Sequence, residues 1–307
     1  MTMDRATDHL NCVNRFSANC DDFAYLSPDI IYGVLEVSLQ FSTLYGRGYD
    51  FAPIENLRQI ESFWGERYRN FRYASISAMY DGEVRMINGI TTITPEEAKN
   101  YDFYNVYIAS KLVNFQKLES IAPNMYWNLT LHLGSYVPVT FMKKLRNRFE
   151  RVCLIIKRDH IWRKEDIDFV NLQLNSPYLQ HLFLMKDSFD RFHQLNVDSI
   201  MESLSFFIKK EKFTEFRTDS LIPFSIYRLF HEEWLQGKFA NRTARMESMV
   251  TIETANEISF QLFGTKYVSS YQTVYFSKLS PCNTQKLCLC IRPPFHRHNV
   301  TIVSEPF

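Results

Sequence analysis

Between residues 125 and 237, short alternating apolar runs take turns with longer runs of helical period. In YWNLTLHL, Trp127, Leu129, Leu131 and Leu133 fall on one side of an extended chain. VPVTFMKKLRNRF follows, with Val139, Met142, Leu145 and Phe149 at helical spacing. RVCLIIK alternates through Val152, Leu154 and Ile156, and KEDIDFVNLQLN answers with Ile167, Val170 and Leu174. LQHLFLM supplies Leu182 and Leu184 for a third strand. VDSIMESLSFFIKK then supplies Ile200, Leu204, Phe207 and Ile208 for its helix, with Asp198 or Ser199 as cap. KFTEFRT and IPFSIYRLFHEEWLQG make a fourth pair, Pro223 opening the helix and Gly237 closing it.

A strand-helix unit of this size cannot bury both of its faces alone, whereas stacked units share one continuous core. The repeat length, about 25 to 30 residues, lies near the leucine-rich-repeat range, without the asparagine-bearing consensus. The expected fold is therefore α/β: a curved parallel solenoid of β/α repeats with helices on its outer side. An ordinary α/β sheet with shuffled strand order is the alternative.

The flanks read differently. Residues 1–26 are polar and irregular and predict a mobile leader. SPDIIYGVLEVSLQ predicts a helix with Ser27 as cap, Pro28 in the first turn and Ile30, Ile31, Val34 and Leu35 as its apolar face. GRGYDFAP interrupts it, and IENLRQIESFWGERYRNF restores the helical period through Leu57, Ile60, Trp64 and Tyr68. RYASISAMYDGEVRMING, residues 72–89, suggests a hairpin turning at Asp81-Gly82, and Thr94 with Glu97 suggests a capping box opening a short helix. After Arg245, SMVTIET, EISFQLFGTKYV, YQTVYFSKL and KLCLCIRP all read as strands, an antiparallel cap for the open end of the repeats.

Composition narrows the function classes. The chain has 307 residues, a hydrophobic fraction of 46%, and only 9 Gly and 11 Pro, which favours packed structure over disorder. A net charge of +1 supplies no broad field for a polyanion, so nucleic acid is not expected. No apolar run approaches the roughly 18 to 20 residues of a membrane span, and the expected location is cytoplasmic or nuclear.

Six cysteines are too few for a disulfide framework, and paired CxxC motifs at zinc spacing are missing. HEEW at His231 lacks the second histidine of a zincin, so His231 reads as a surface residue, and His296 with His298 has no further metal ligand in sequence. Cys153 lies between Val152 and Leu154, where burial outweighs a nucleophilic role. Glu165, Asp166 and Asp168 read as a helix first turn favoured by its dipole. Neither catalysis nor a cofactor is expected.

Residues 26–68, with Leu26, Pro28, Ile31, Val34, Leu35, Leu57, Ile60 and Trp64, resemble an F-box. Ser27 separates the leucine from the proline, and the inter-helix loop is long for that motif. The remainder is similar in texture to the leucine-rich-repeat-like region of the nematode-expanded family of F-box and F-box-associated proteins. The resemblance implies three parts: a leader at 1–26, an F-box-like module at 27–70 and a substrate-recognition region at 71–307. It further implies that Pro28, Ile31, Val34, Leu35, Leu57, Ile60 and Trp64 grip the small adaptor subunit of an SCF ubiquitin ligase, while the repeats bind an unspecified target protein. Trp64 has a second reading, packing the helix pair onto the first repeat.

Overall fold

The computed structural model describes residues 73–78, 82–88, 91–145, 147–157, 160–187, 197–267, 272–281, 283–292 and 298–306. The expected leader, both F-box-like helices and all seven adaptor-binding residues lie outside these. The chain divides into two compact units, residues 1–73 with 87–91, and residues 74–86 with 92–307.

Among the described residues twelve strands form one sheet: β1 (Tyr73–Ala78), β2 (Val84–Asn88), β3 (Thr91–Thr92), β4 (Asp102–Ile108), β5 (Met125–Leu133), β6 (Phe149–Ile156), β7 (His181–Lys186), β8 (Glu215–Leu221), β9 (Ala244–Val250), β10 (Val274–Leu279), β11 (Gln285–Arg292) and β12 (His298–Pro306). Their spatial order is β10-β11-β12-β9-β8-β7-β6-β5-β4-β1-β2-β3. From β4 to β9 every neighbouring pair is parallel and in sequence order. The last three strands return antiparallel against β9.

Parallel neighbours require a crossover between them; of the six α-helices among the described residues, the first five provide these crossovers and the sixth leads from β9 to β10. These are α1 (Phe115–Glu119), α2 (Val139–Lys144), α3 (Lys164–Asn175), α4 (Met201–Ile208), α5 (Phe224–Leu235) and α6 (Ile252–Phe263). Each helix packs on the next in chain order. Their apolar sides meet one parity of the strand residues, including Leu129, Leu131, Val152, Leu154, Leu182, Leu184, Phe216 and Met246, in a single core. Burying an aliphatic or aromatic side chain of this size contributes roughly 1.5–3 kcal/mol, and the packing of the helix layer on the sheet makes that burial available. Among the described residues no helix is long and apolar enough to cross a membrane.

Within the second unit, successive strand-helix segments are joined at their ends as well as through the core. The turn entering each strand bonds to the preceding one: Gln180 N donates to Glu150 O (2.8 Å), Thr214 N to Gln180 O (3.0 Å) and Arg245 N to Thr214 O (2.8 Å). Helix C-termini leave carbonyls without helical partners, and lysines of the following unit reach them. Lys210 Nζ donates to the carbonyls of Leu174 and Ser176, and Lys238 Nζ to that of Lys209. These side chains tie the end of one helix to the end of the next.

Several expectations need correction. The run EISFQLFGTKYV is not a strand: residues 252–263 form α6. Ala255, Ile258, Ser259 and Leu262 are buried at helical spacing, the Thr251 hydroxyl accepts from Thr254 N (3.2 Å), and Gly264 closes the helix at φ +71°. Phe149 does not continue α2 but starts β6, because Leu145 already has extended backbone (ψ 124°). Trp127 leaves the apolar row of β5. It sits at φ +64° where the register shifts against both β4 and β6, and its ring packs edge-on against Tyr104 (6.2 Å) and Tyr126 (5.5 Å) outside the main core. The strand β4 and helix α1 had no counterpart in the sequence reading, so the parallel array begins one unit earlier than expected.

The capping box at Thr94 is present. Thr94 N donates to Glu97 Oε2 (3.0 Å) and Glu97 N to Thr94 Oγ1 (3.4 Å), ahead of a short 3-10 helix at Glu97–Asn100. Gly82 takes φ +79°, between β1 and β2, as the hairpin reading of Asp81-Gly82 requires of the glycine.

Candidate functional site

The strand residues of the other parity face away from the helix layer. On β6 to β9 they come into register as two rows. In the first, Arg151 stands beside His181, His181 beside Glu215, and Glu215 beside Arg245. In the second, Cys153 stands beside Phe183, Phe183 beside Arg217, and Arg217 beside Glu247. Neighbouring strands lie about 4.8 Å apart, so these side chains are within reach of one another.

Four of them close a ring of alternating charge. Arg217 Nε donates to Glu215 Oε1 (2.6 Å) and lies 3.7 Å from Glu247 Oε2. Arg245 Nη2 donates to Glu247 Oε2 (2.5 Å), while its Nε lies 3.7 Å from Glu215 Oε1. Asn299 on β12 donates to Glu247 (3.2 Å), and His181 Nδ1 is 3.7 Å from Glu215. Burial on its own would raise the Glu215 pKa. The bonds from His181 and Arg217 outweigh it and hold the carboxyl below the usual carboxylate range.

Phe183 forms the floor beside this ring. Arg151 lies 4.8 Å above its centroid and Arg217 5.5 Å, and the His181 ring runs parallel to it at 6.4 Å. Guanidinium groups over an aromatic face gain from the ring quadrupole and stay fixed in direction. Depth also differs by sign: the Glu215 and Glu247 side chains are 16% and 17% exposed, the Arg217 and Arg245 side chains 33% and 32%. The carboxylates lie beneath and the guanidiniums outermost, with Phe183 buried under them, so the surface offered to a partner is predominantly basic.

Residues considered for catalysis or metal binding lie apart from this patch or are unsuited to such roles. Cys153 is in the second row, but burial raises its thiol pKa more than the Arg151 charge lowers it, so it remains a protonated thiol. His231 is not a surface group. It is half-buried against Trp234 (5.5 Å), and burial together with nearby Lys278 pulls its pKa down to about 4. His298 is buried with its ring edge against Tyr267 (5.4 Å), and His296 lies outside the described residues. Asp166 is more than a dipole partner. Fully buried, it accepts from Arg163 N (2.8 Å), Nε (3.0 Å) and Nη2 (2.7 Å), with His160 Nε2 at 3.0 Å. Among the described residues no group of three or more His, Cys, Asp or Glu side chains is placed to hold a metal ion.

The charged rows leave no mark on the hydrophobic pattern of the chain. A signal was present in Glu215-x-Arg217 and Arg245-x-Glu247, opposite charges two apart and thus on one face of a strand. Comparison with family models, with curated proteins and with solved structures finds no match for the chain.

Proposed function

We propose that the chain is a substrate-recruiting adaptor of an SCF-type ubiquitin ligase, acting in the cytoplasm or nucleus and not itself catalytic. Residues 27–70 grip the small adaptor subunit of the ligase through Pro28, Ile31, Val34, Leu35, Leu57, Ile60 and Trp64. The helix-free face of a leucine-rich-repeat-like solenoid holds the target protein. The observation that carries the recognition half is the ordered ring of Glu215, Arg217, Arg245 and Glu247 beside the Arg-covered Phe183. Charged side chains that are already cross-bonded lose little freedom when a partner arrives, which favours association. The solenoid reading draws support from six parallel strands lying in sequence order, the arrangement that serial stacking of units requires.

The ligase half rests on the F-box-like sequence of residues 27–70. The long GRGYDFAP loop and the displaced Pro28 favour a second reading, the same protein-binding scaffold with a decayed docking module and no ligase link. Co-expression of the tagged full chain with the ligase's small adaptor subunit separates the two. The adaptor reading expects co-purification that is lost on Trp64→Ala and Leu35→Ala, whereas no recovery of the subunit at high concentration leaves only the scaffold.

A further inference from the structure

We infer that the target engages this face through an acidic segment, whose carboxylates seat over Arg151 and the outer guanidiniums of Arg217 and Arg245. The inference rests on the target-holding role proposed for the helix-free face and adds the chemistry of its partner.

Three arginines and two glutamates make up the patch, an excess of one positive charge, and the excess is localised. Arg217 and Arg245 each bond to Glu215 or Glu247. Among the described residues no carboxylate pairs with Arg151. Its neighbours in register are Asn128 on β5 and His181 on β7, the next residue on its own face is Cys153, and its guanidinium rests on Phe183. It is exposed, and the ring beneath it fixes its plane while leaving its outward N–H donors for a ligand. A carboxylate at this point would accept from the Arg151 fork and from the Asn128 amide, both neutralising the excess charge and completing the alternation that Glu215 and Glu247 begin.

Geometry also selects the sign of the partner. A basic segment would meet guanidiniums first, with the two carboxylates covered beneath them. A nucleic acid would need positive charge spread along a backbone track, and a local excess of one within a chain of net charge +1 does not provide it. A short acidic peptide matches both the size and the sign of the patch.

Fluorescence polarisation of the full chain with labelled poly-glutamate at low salt tests this, with poly-glutamine of equal length and a labelled oligothymidylate as comparators. Saturable binding of poly-glutamate that weakens as salt rises is expected. Arg151→Gln should lower its affinity roughly ten- to hundredfold, the loss of a charge-assisted bond. Arg151→Lys, which keeps the charge without the fork, should fall between, and Arg228→Gln on the exposed side of α5 should leave affinity unchanged. The inference is overturned if poly-glutamine or the oligothymidylate binds as tightly as poly-glutamate, or if Arg151→Gln binds like the unaltered chain. Co-purification with the ligase subunit reads residues 27–70 independently. Its failure with intact poly-glutamate binding removes the ligase link alone, and the converse removes the acidic partner alone.

Discussion

His160 Nε2 lies 3.0 Å from Asp166 Oδ2, and both side chains are sealed from water. Burial favours the neutral acid, yet the bonds from His160 and from the Arg163 side chain and backbone N–H prevail and hold the Asp166 pKa at about 2. The carboxylate also ties Arg163 in place, whose Nη2 reaches Val137 O (3.1 Å) and so links the start of α3 to the loop before α2. Asp166→Asn should destabilise the chain by about 3 kcal/mol, because it leaves donors facing an amide in a dry site. In an unfolded chain the same group titrates near 3.9. Its pKa is depressed on folding, so its contribution is complete above about pH 4 and is lost as pH falls towards 2. Urea midpoints of the two proteins should converge across that window.

Tyr227 Oη lies 2.6 Å from Ser248 Oγ, joining α5 to β9 where neither side chain meets solvent. The hydroxyl also points at Val300 O (3.5 Å) on β12, where the antiparallel strands begin. Burial drives the phenol pKa upward, so it stays protonated at any pH the fold survives. Tyr227→Phe keeps the ring and removes the bond, and should cost about 1–2 kcal/mol in chemical denaturation.

Lys210 is half-buried at the end of α4 and donates to two carbonyls at the end of α3, and burial lowers its pKa to about 8. An unfolded lysine titrates near 10.4. Below about pH 8 the charge is carried in both states and its desolvation weighs against folding. From about 8 to about 10.4 the folded chain loses the proton first, so this group's contribution to stability grows with pH. Lys210→Met should abolish that alkaline rise in the urea midpoint, and amide exchange near Leu174 should quicken as its carbonyl loses a partner.

Gly264 ends α6 at φ +71°, and a Cβ there would meet nothing within 4 Å. Gly264→Ala therefore isolates the backbone cost of a left-handed residue. It should lower stability by about 1 kcal/mol with no packing change, readable as a small drop in melting temperature. The same helix shows where sequence reading stops. Ile258, Phe260 and Leu262 alternate with polar residues over a few positions, as a strand does, while two of the side chains that establish the helical period, Ala255 and Ser259, are small and add little to a hydrophobicity pattern. The helix at Lys164–Asn175 was legible to its ends because Ile167, Val170 and Leu174 are large and an acidic first turn marks its start. The parallel neighbours β5, β6 and β7 were legible for the same reason. The ring of Glu215, Arg217, Arg245 and Glu247 was not, since its members come from strands about thirty residues apart and only the register brings them together.

Cys153 tests whether the helix-free face is a reactive surface or a binding one. It stands between Thr130 on β5 and Phe183 on β7, and its thiol is raised above the ordinary cysteine range by burial, with the Arg151 charge opposing. The thiolate is the species that alkylates, so a raised pKa together with restricted access slows the reaction at neutral pH. Iodoacetamide labelling followed by peptide mass spectrometry should find Cys153 modified several-fold more slowly in the native chain than in urea. Arg151→Gln should slow it further, because it removes the one charge that favours the thiolate, whereas a merely steric shield would open when that side chain is shortened. Native labelling faster than in urea would mean an activated thiol, and would turn this face from a platform for an acidic segment into a candidate catalytic centre.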